Sequence, residues 1–287
     1  MASSERRPPG EDSASVSFVF GYFALTYAVT WSLFFIAREM EAPAVRQVAF
    51  YAGVFAPGIL AVLLTVWRHG RRGLGALLAR LIQVDVPLRW YVFAVTYMAA
   101  AKLITAVVYR VLYGTWPTFG PEPWFLIAAA TIFSTIIGGQ AGEELGWRGY
   151  ALPRLAARLG LRSAGILIGV VWAAWHLPLF YWFPQADTFR QSFPTYALGV
   201  VAISVAMTWL YARTNGSLFL TMLMHSAVNQ STGIVSSAVP GATNAFAPST
   251  SAVAWITVAT LWAFAIYALV KMPRLTEDPG LTPYAAA

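Results

Sequence analysis

A chain of 287 residues that is 58% hydrophobic and only 11% charged, with mean hydropathy +0.61, lies far from the composition of a soluble domain and reads as an integral membrane protein. Its net charge of +7 and pI near 9.8 do not point to nucleic acid, because the basic residues flank apolar runs and follow a membrane topology rule instead. The absence of cysteine excludes a disulfide framework, a thiol nucleophile and any cysteine-held metal.

Residues 1–15 (MASSERRPPGEDSAS) are polar, and the first apolar run is too long for the core of a cleavable signal. A disordered cytoplasmic tail over 1–16 followed by a retained span is expected. Eight runs have the length and apolarity of membrane helices: 17–37, 47–67, 90–112, 124–147, 163–183, 195–212, 217–236 and 252–271. The fold expected is therefore all-α and polytopic, about eight transmembrane helices over 17–272 enclosing a polar intramembrane cavity. The fourth run is expected to continue as a helix to about Arg158, and the stretch after Pro273 reads as a second disordered cytoplasmic tail, without a lipidation signal.

Arginine and lysine placement gives an independent check. With the amino terminus inside, fourteen basic residues fall on the inner side (Arg6, Arg7, Arg68, Arg71, Arg72, Arg80, Arg89, Arg148, Arg154, Arg158, Arg162, Arg213, Lys271 and Arg274). Four fall outside (Arg38, Arg46, Arg110, Arg190), and Lys102 lies within a span with no role evident from its neighbours. The bias predicts that both termini are cytoplasmic. In the second loop, Leu74, Leu77, Leu78, Leu81 and Ile82 follow a helical period with arginines alongside, which predicts a short helix lying either on the inner membrane surface or against other loops. The loops over 113–124 and 181–194, rich in proline and aromatic rings, read as a lid or belt at the membrane boundary. No internal repeat or inverted pair of broken helices is visible, which weakens a secondary-transporter reading.

Within the fourth run lies GGQAGEELGWRG, residues 138–149. Ten of the twelve acidic residues fall in tails, loops or segment ends, so Glu143 and Glu144 are the exception, carboxylates where membrane burial makes charge costly. On a helix Glu144 and Arg148 share a face and neutralise each other, while Glu143 points about 100° away from Glu144. Two readings fit: a buried structural ion network, or a catalytic carboxylate held beside a salt bridge. Gly138, Gly142 and Gly146 recur every four residues, a stripe that admits close helix approach or loosens the helix and admits water.

Two of the three histidines also fall within spans. Trp172 and His176 are four apart in the fifth run, and His225 and Asn229 are four apart in the seventh, so each pair shares a helical face. A lone membrane histidine is more often a helix contact than a ligand; two histidines, an asparagine and two glutamates are harder to set aside. At about 1.5 Å of rise per residue, His225 lies roughly 12 Å, and His176 and Glu143 roughly 20 Å, from the inner ends of their helices. A meeting point in the inner half of the bilayer, opening to the cytoplasm, is expected.

The order EExxxR (Glu143, Glu144, Arg148), aromatic-xxx-His (Trp172 to His176) and HxxxN (His225 to Asn229) resembles the three-motif signature of the CPBP intramembrane proteases. That family is also called the Abi or CAAX-protease family and includes the type II CAAX prenyl endopeptidases. The resemblance covers residues 124–236, and Trp172 stands where many members have phenylalanine. It implies an intramembrane endopeptidase acting on a membrane-associated or CAAX-like peptide, in a bacterial or archaeal cell membrane. Glu143 would activate a water, His176 help hold it, His225 and Asn229 stabilise the oxyanion, and Glu144 and Arg148 orient the site, with Trp172 as a pocket wall. The implied partners are the lipid bilayer and a peptide or protein substrate, with no nucleic acid and no cofactor.

Other chemistries remain beside this one. Glu143, His176 and His225 are also a ligand set of the kind that holds zinc, and some members are labelled metalloproteases; the pair of hydrogen-bond donors at 225 and 229 favours the metal-free form. HExxH, GxGD and GxSxG, the marks of other intramembrane proteases, are absent. A non-catalytic transporter, proton relay or scaffold would use the same intramembrane acid and histidines, and would better explain Lys102.

Overall fold

The computed structural model describes residues 9–121, 123–183 and 190–273, with side chains from residue 17 onward. The elements are α1 (Pro9–Glu39), α2 (Pro43–Ala79), α3 (Leu88–Tyr113), α4 (Trp124–Ile137), α5 (Gln140–Glu144), a π-helical segment (Leu145–Ala151), α6 (Leu152–Trp175), α7 (Leu177–Trp182), α8 (Phe193–Arg213), α9 (Leu218–Ser231) and α10 (Pro248–Val270). Short 3₁₀ turns over Arg80–Ile82 and Thr232–Ile234 complete the order. No strand forms among the described residues beyond one isolated bridge, Phe119 with Val235. Of the two expected tails, residues 1–8 and 274–287, including Arg6, Arg7 and Arg274, lie outside the described residues, and α1 starts at Pro9.

Helices are the structure these apolar runs must take, because a lipid-facing backbone has no water to satisfy its amides. Six described helical segments are long and apolar enough to cross a membrane: Ser17–Glu39, Pro43–Ile82, Leu88–Tyr113, Gln140–Trp182, Phe193–Arg213 and Pro248–Val270. Trp124–Ile137 is a shorter apolar helix. The eight runs read from the sequence map onto these elements with two differences. The run over 124–147 is not one helix; it breaks at Gly138 and Gly139, and the glutamate pair sits on the short α5. The run over 163–183 breaks at His176, which ends α6 and opens α7. Gly160, at φ 72°, turns the chain between these two runs, a left-handed conformation that glycine tolerates best.

Side-chain caps and prolines set several starts. Ser192 and Ser217 accept hydrogen bonds from the amides of Thr195 (3.4 Å) and Leu220 (3.2 Å), and Pro43, Pro153, Pro178, Pro194 and Pro248 stand in first turns. The second-loop helix is the continuation of α2 beyond Gly70, whose φ of 57° bends it away. Its Leu77 is buried, whereas Leu78 and Ile82 stay exposed. One edge thus packs on the bundle and the other faces outward.

The core lies between α1 and α2 on one side and α6, α8 and α10 on the other, with α9 held against α3 and α4. Trp147 and Trp175 are fully buried there, their rings 6.0 Å apart, with Tyr22 and Tyr150 beside them. Outward-facing Ile59, Leu63, Val111, Phe125, Phe133 and Ile136 form the apolar surface a bilayer covers.

The two ends of the bundle differ. At one, Gln83 Nε2 donates to the carbonyls of Thr214 and Asn215 (3.0 Å each), Ser217 Oγ donates to the Gln83 carbonyl, and Arg162 and Arg213 donate to the carbonyls of Val270 and Lys271. The described chain's carboxyl end lies here. At the other, the loop before α4 is laced to the segment after α9: Gly120 N donates to Ile234 O (3.2 Å) and Ser236 N to Thr118 O (3.1 Å). A Cβ at Gly120 would stand 2.2 Å from the Gly233 carbonyl, so this crossing needs a glycine.

Candidate active site

Gly138 adopts extended backbone (φ −81°, ψ 170°) and ends α4, so the chain restarts as α5 with a new heading. Two later glycines let α5 and the π segment lie directly on α2. A Cβ on Gly142 would stand 2.9 Å from Phe55 Cα, and one on Gly146 would stand 2.7 Å from Pro57 Cβ and 2.2 Å from the Tyr22 hydroxyl. That hydroxyl donates to the Pro57 carbonyl at 3.0 Å, inside a helix whose ladder the proline itself interrupts. The stripe read from the sequence therefore divides, Gly142 and Gly146 serving approach and Gly138 serving the break.

Glu143 and Glu144 leave α5 in different directions. Glu144 and Arg148 are both fully buried, with Arg148 NH1 donating to Glu144 Oε1 at 2.9 Å. His225 Nδ1 also meets Glu144 Oε1, at 3.0 Å. Arg148 NH2 donates to Ser204 Oγ (3.1 Å), which donates onward to the Gly165 carbonyl (2.8 Å), so α6, α8 and α9 all fix this ion pair. Counting Arg148 among the inner-margin basic residues is corrected by this position: it is an interior residue whose charge is met by Glu144.

Glu143 faces the other way, onto a cavity of about 590 Å³. Trp172 Nε1 donates to Glu143 Oε2 at 2.7 Å. Beyond serving as the expected wall, Trp172 is thus the donor that holds the acid, which a phenylalanine has no N–H to do. Its ring packs edge-on to His225 (4.9 Å between centroids) and tilted to His176 (5.8 Å), and the Arg148 guanidinium lies 4.9 Å from its centroid. His176 Nδ1 meets the Trp172 carbonyl at 2.8 Å; a carbonyl only accepts, so Nδ1 carries a proton, and Nε2 is an acceptor when the ring is neutral. Tyr196 packs on His176 from α8.

The cavity lining thus includes Glu143, Trp172, His176, His225 and Asn229, while Glu144 and Arg148 stand behind it. Asn229, one helical turn beyond His225, is the most open of the five. Among the described residues no three His, Cys, Asp or Glu side chains are gathered to hold one ion.

Three features are not evident from sequence. Ser204 and Ser226 are buried hydroxyls in apolar helices, Ser226 bonding to the Thr131 carbonyl and to Ser134, and so tying α9 to α4; single serines in such runs carry no distinguishing pattern. Lys102 is buried with Nζ donating to Val235 O (3.0 Å) and Ser237 Oγ (3.1 Å), and it lines the cavity. Thr118, Phe119, Gly120 and Pro121, from the loop read as a lid, line the cavity together with the segment after α9. That loop lies at the end of the bundle opposite the carboxyl end. α4 and α8 enter from this end and α10 leaves it, which carries the carboxyl end to the far side.

Comparison with known proteins agrees with the motif order. The model of the family described as type II CAAX prenyl endopeptidase Rce1-like matches residues 120–231, the stretch that contains α4 to α9 and every motif residue above. The chain is also 24% identical over 225 residues to CAAX prenyl protease 2 of Methanococcus maripaludis, covering 72% of this chain and 81% of that protein. A multi-pass helical bundle, the ordered motifs on α5, α6 and α9, and these two matches point the same way: over α4 to α9 the chain is similar to the type II CAAX prenyl endopeptidase-like proteins.

Proposed function

We propose that this protein is an intramembrane endopeptidase that hydrolyses a peptide bond of a membrane-associated or CAAX-like peptide with a water activated by Glu143. The observation that carries this reading is the division of the glutamate pair: Glu144 is consumed by Arg148 and His225, whereas Glu143 faces the cavity with His176, His225 and Asn229. In the reaction, Glu143 takes a proton from water as the oxygen attacks the carbonyl carbon, and passes that proton to the leaving nitrogen as the C–N bond breaks. His176, its Nδ1–H committed to Trp172 O, accepts a hydrogen bond from that water through Nε2. Asn229 donates to the developing oxyanion, and His225 does so through Nε2 when both ring nitrogens carry protons, its Nδ1–H being given to Glu144. Trp172, Glu144 and Arg148 act as positioning residues. No step is assigned to a metal.

Both termini are taken as cytoplasmic, supported by the basic residues of the end that carries Lys271, Arg162 and Arg213. The membrane is that of a bacterial or archaeal cell, by the sequence resemblance.

The test compares protein termini in membranes that contain the wild-type chain with those in membranes that contain Glu143→Gln. New carboxyl or amino termini dependent on Glu143 are expected. Identical terminal inventories, together with solute flux into liposomes that depends on Glu143, would replace the peptidase with a transporter.

A further inference from the structure

The loops at the carboxyl end of the bundle, over 68–89, 151–163 and 213–217, hold nine arginines and one acid, Asp85. Sorting of spans during membrane insertion accounts for the sign of this charge. It does not account for the short helix that continues α2 past Gly70. Gly73 and Leu77 are buried on one side of that helix, whereas the other side presents Arg71 and Arg72 at its start and Leu78 and Ile82, 41% and 77% exposed, at its end. Arg71 and Arg72 are exposed and have no protein partner among the described residues. Val84 and Leu88 repeat the pattern, standing exposed beside Arg89. Bare apolar side chains next to unmatched guanidiniums suit neither water nor hydrocarbon. A leaflet boundary satisfies both, with acyl chains against the leucine and isoleucine and phosphates against the arginines. With one acid among nine arginines, the surface favours headgroups of net negative charge over zwitterionic ones.

The helix is also fastened to the elements that carry the candidate site. Leu77 Cδ1 lies 2.8 Å from where a Cβ on Gly149 would stand, in the π-helical segment that carries Arg148. Arg80 NH1 donates to the Tyr211 hydroxyl at 2.6 Å, and Gln83 holds the turn whose Ser217 caps α9, the helix of His225 and Asn229. We propose that residues 71–82 form a docking surface for anionic phospholipid headgroups, whose binding steadies the π-helical segment and α9. This goes beyond the peptidase reading and does not depend on it.

The test reads the lipid beside the helix and needs no turnover. Full-length protein carrying Ala76→Cys, at an exposed position of a cysteine-free chain, is labelled with bimane and placed in nanodiscs of mixed phosphatidylcholine and phosphatidylglycerol. A small fraction of one lipid or the other bears a nitroxide on its acyl chain. The ratio of quenching by the two labelled lipids gives the enrichment next to the helix. Phosphatidylglycerol is expected to be enriched about fivefold or more, the factor that one basic residue contributes at an anionic surface. Arg71→Gln combined with Arg72→Gln should bring the ratio close to one, and salt at about 0.5 M should lower it. Arg110→Gln, at the far end of the bundle, should leave it unchanged. The Tm in nanodiscs should rise by several degrees when phosphatidylglycerol is included, and the double variant should lose that rise. A ratio near one with both arginines present, a ratio that survives their replacement, or a Tm indifferent to phosphatidylglycerol would overturn the proposal. So would loss of the enrichment on adding glycerol phosphate in solution, which would mark a site for free phosphate instead.

Discussion

Trp172 is the side chain on which the acid, both imidazoles and the guanidinium all converge, and its hydrogen bond to Glu143 is the contact most open to a clean test. Trp172→Phe keeps an aromatic wall and deletes one donor. A hydrogen bond to a charged group contributes about 1.5–3 kcal/mol, so kcat on a peptide substrate should fall by about tenfold or more with KM little changed; an unchanged kcat would show that the acid is held by other means. Arg148→Met has a different consequence, because it strands Glu144 in a buried site. Breaking a buried pair costs about 3–5 kcal/mol, and thermal unfolding in detergent should report a marked fall in Tm that Arg148→Lys partly restores. Glu143, Glu144 and Arg148 were legible in the sequence, since two carboxylates in an apolar run are costly and i, i+4 spacing pairs one with the arginine. The Trp172 donor was not, because that bond joins helices 29 residues apart and depends on their rotation. Ser204, which completes the shell around Arg148 from α8, was hidden for the same reason.

At the scale of elements, the break at Gly138 and the π-helical segment over Leu145–Ala151 aim the glutamate pair. Such π segments are frequent at functional sites, since the extra residue in the turn rotates the rest of the helix. Hydropathy counts apolar residues and is blind to the backbone path, so a single span over 124–147 was the natural reading; the glycines at 138 and 139 were the available signal. Close approach of α5 to α2 gives a prediction of its own. Gly142→Val places side-chain carbons on Phe55 and should lower stability by about 1–3 kcal/mol as an overpacked contact. Gly75, with no atom within 4 Å of its hypothetical Cβ, is the control, and Gly75→Ala should be neutral or stabilising by up to about 1 kcal/mol. Equal melting temperatures for the two variants would mean that the helices do not touch at Gly142.

For the molecule as a whole, a polytopic all-α bundle was legible because apolar runs of spanning length are enough to place membrane helices, although six described segments rather than eight have that length. Which loops line the cavity was not, because depth measured along separate helices does not say how the intervening loops fold back on it. The cysteine-free chain permits a direct check with an impermeant maleimide. Cysteines introduced one at a time at Val84 and at Phe246, both well exposed and at opposite ends of the bundle, should label from opposite sides of the membrane. With cytoplasmic termini, Phe246→Cys labels from outside; labelling of both from one side would contradict the topology. The acid at the cavity wall carries the whole catalytic proposal, and the most direct measurement is the rate of peptide cleavage by purified Glu143→Gln beside the wild-type protein, at matched Tm. Loss of a general base predicts a fall of about 10²-fold or more; turnover within about twofold of wild type would contradict it.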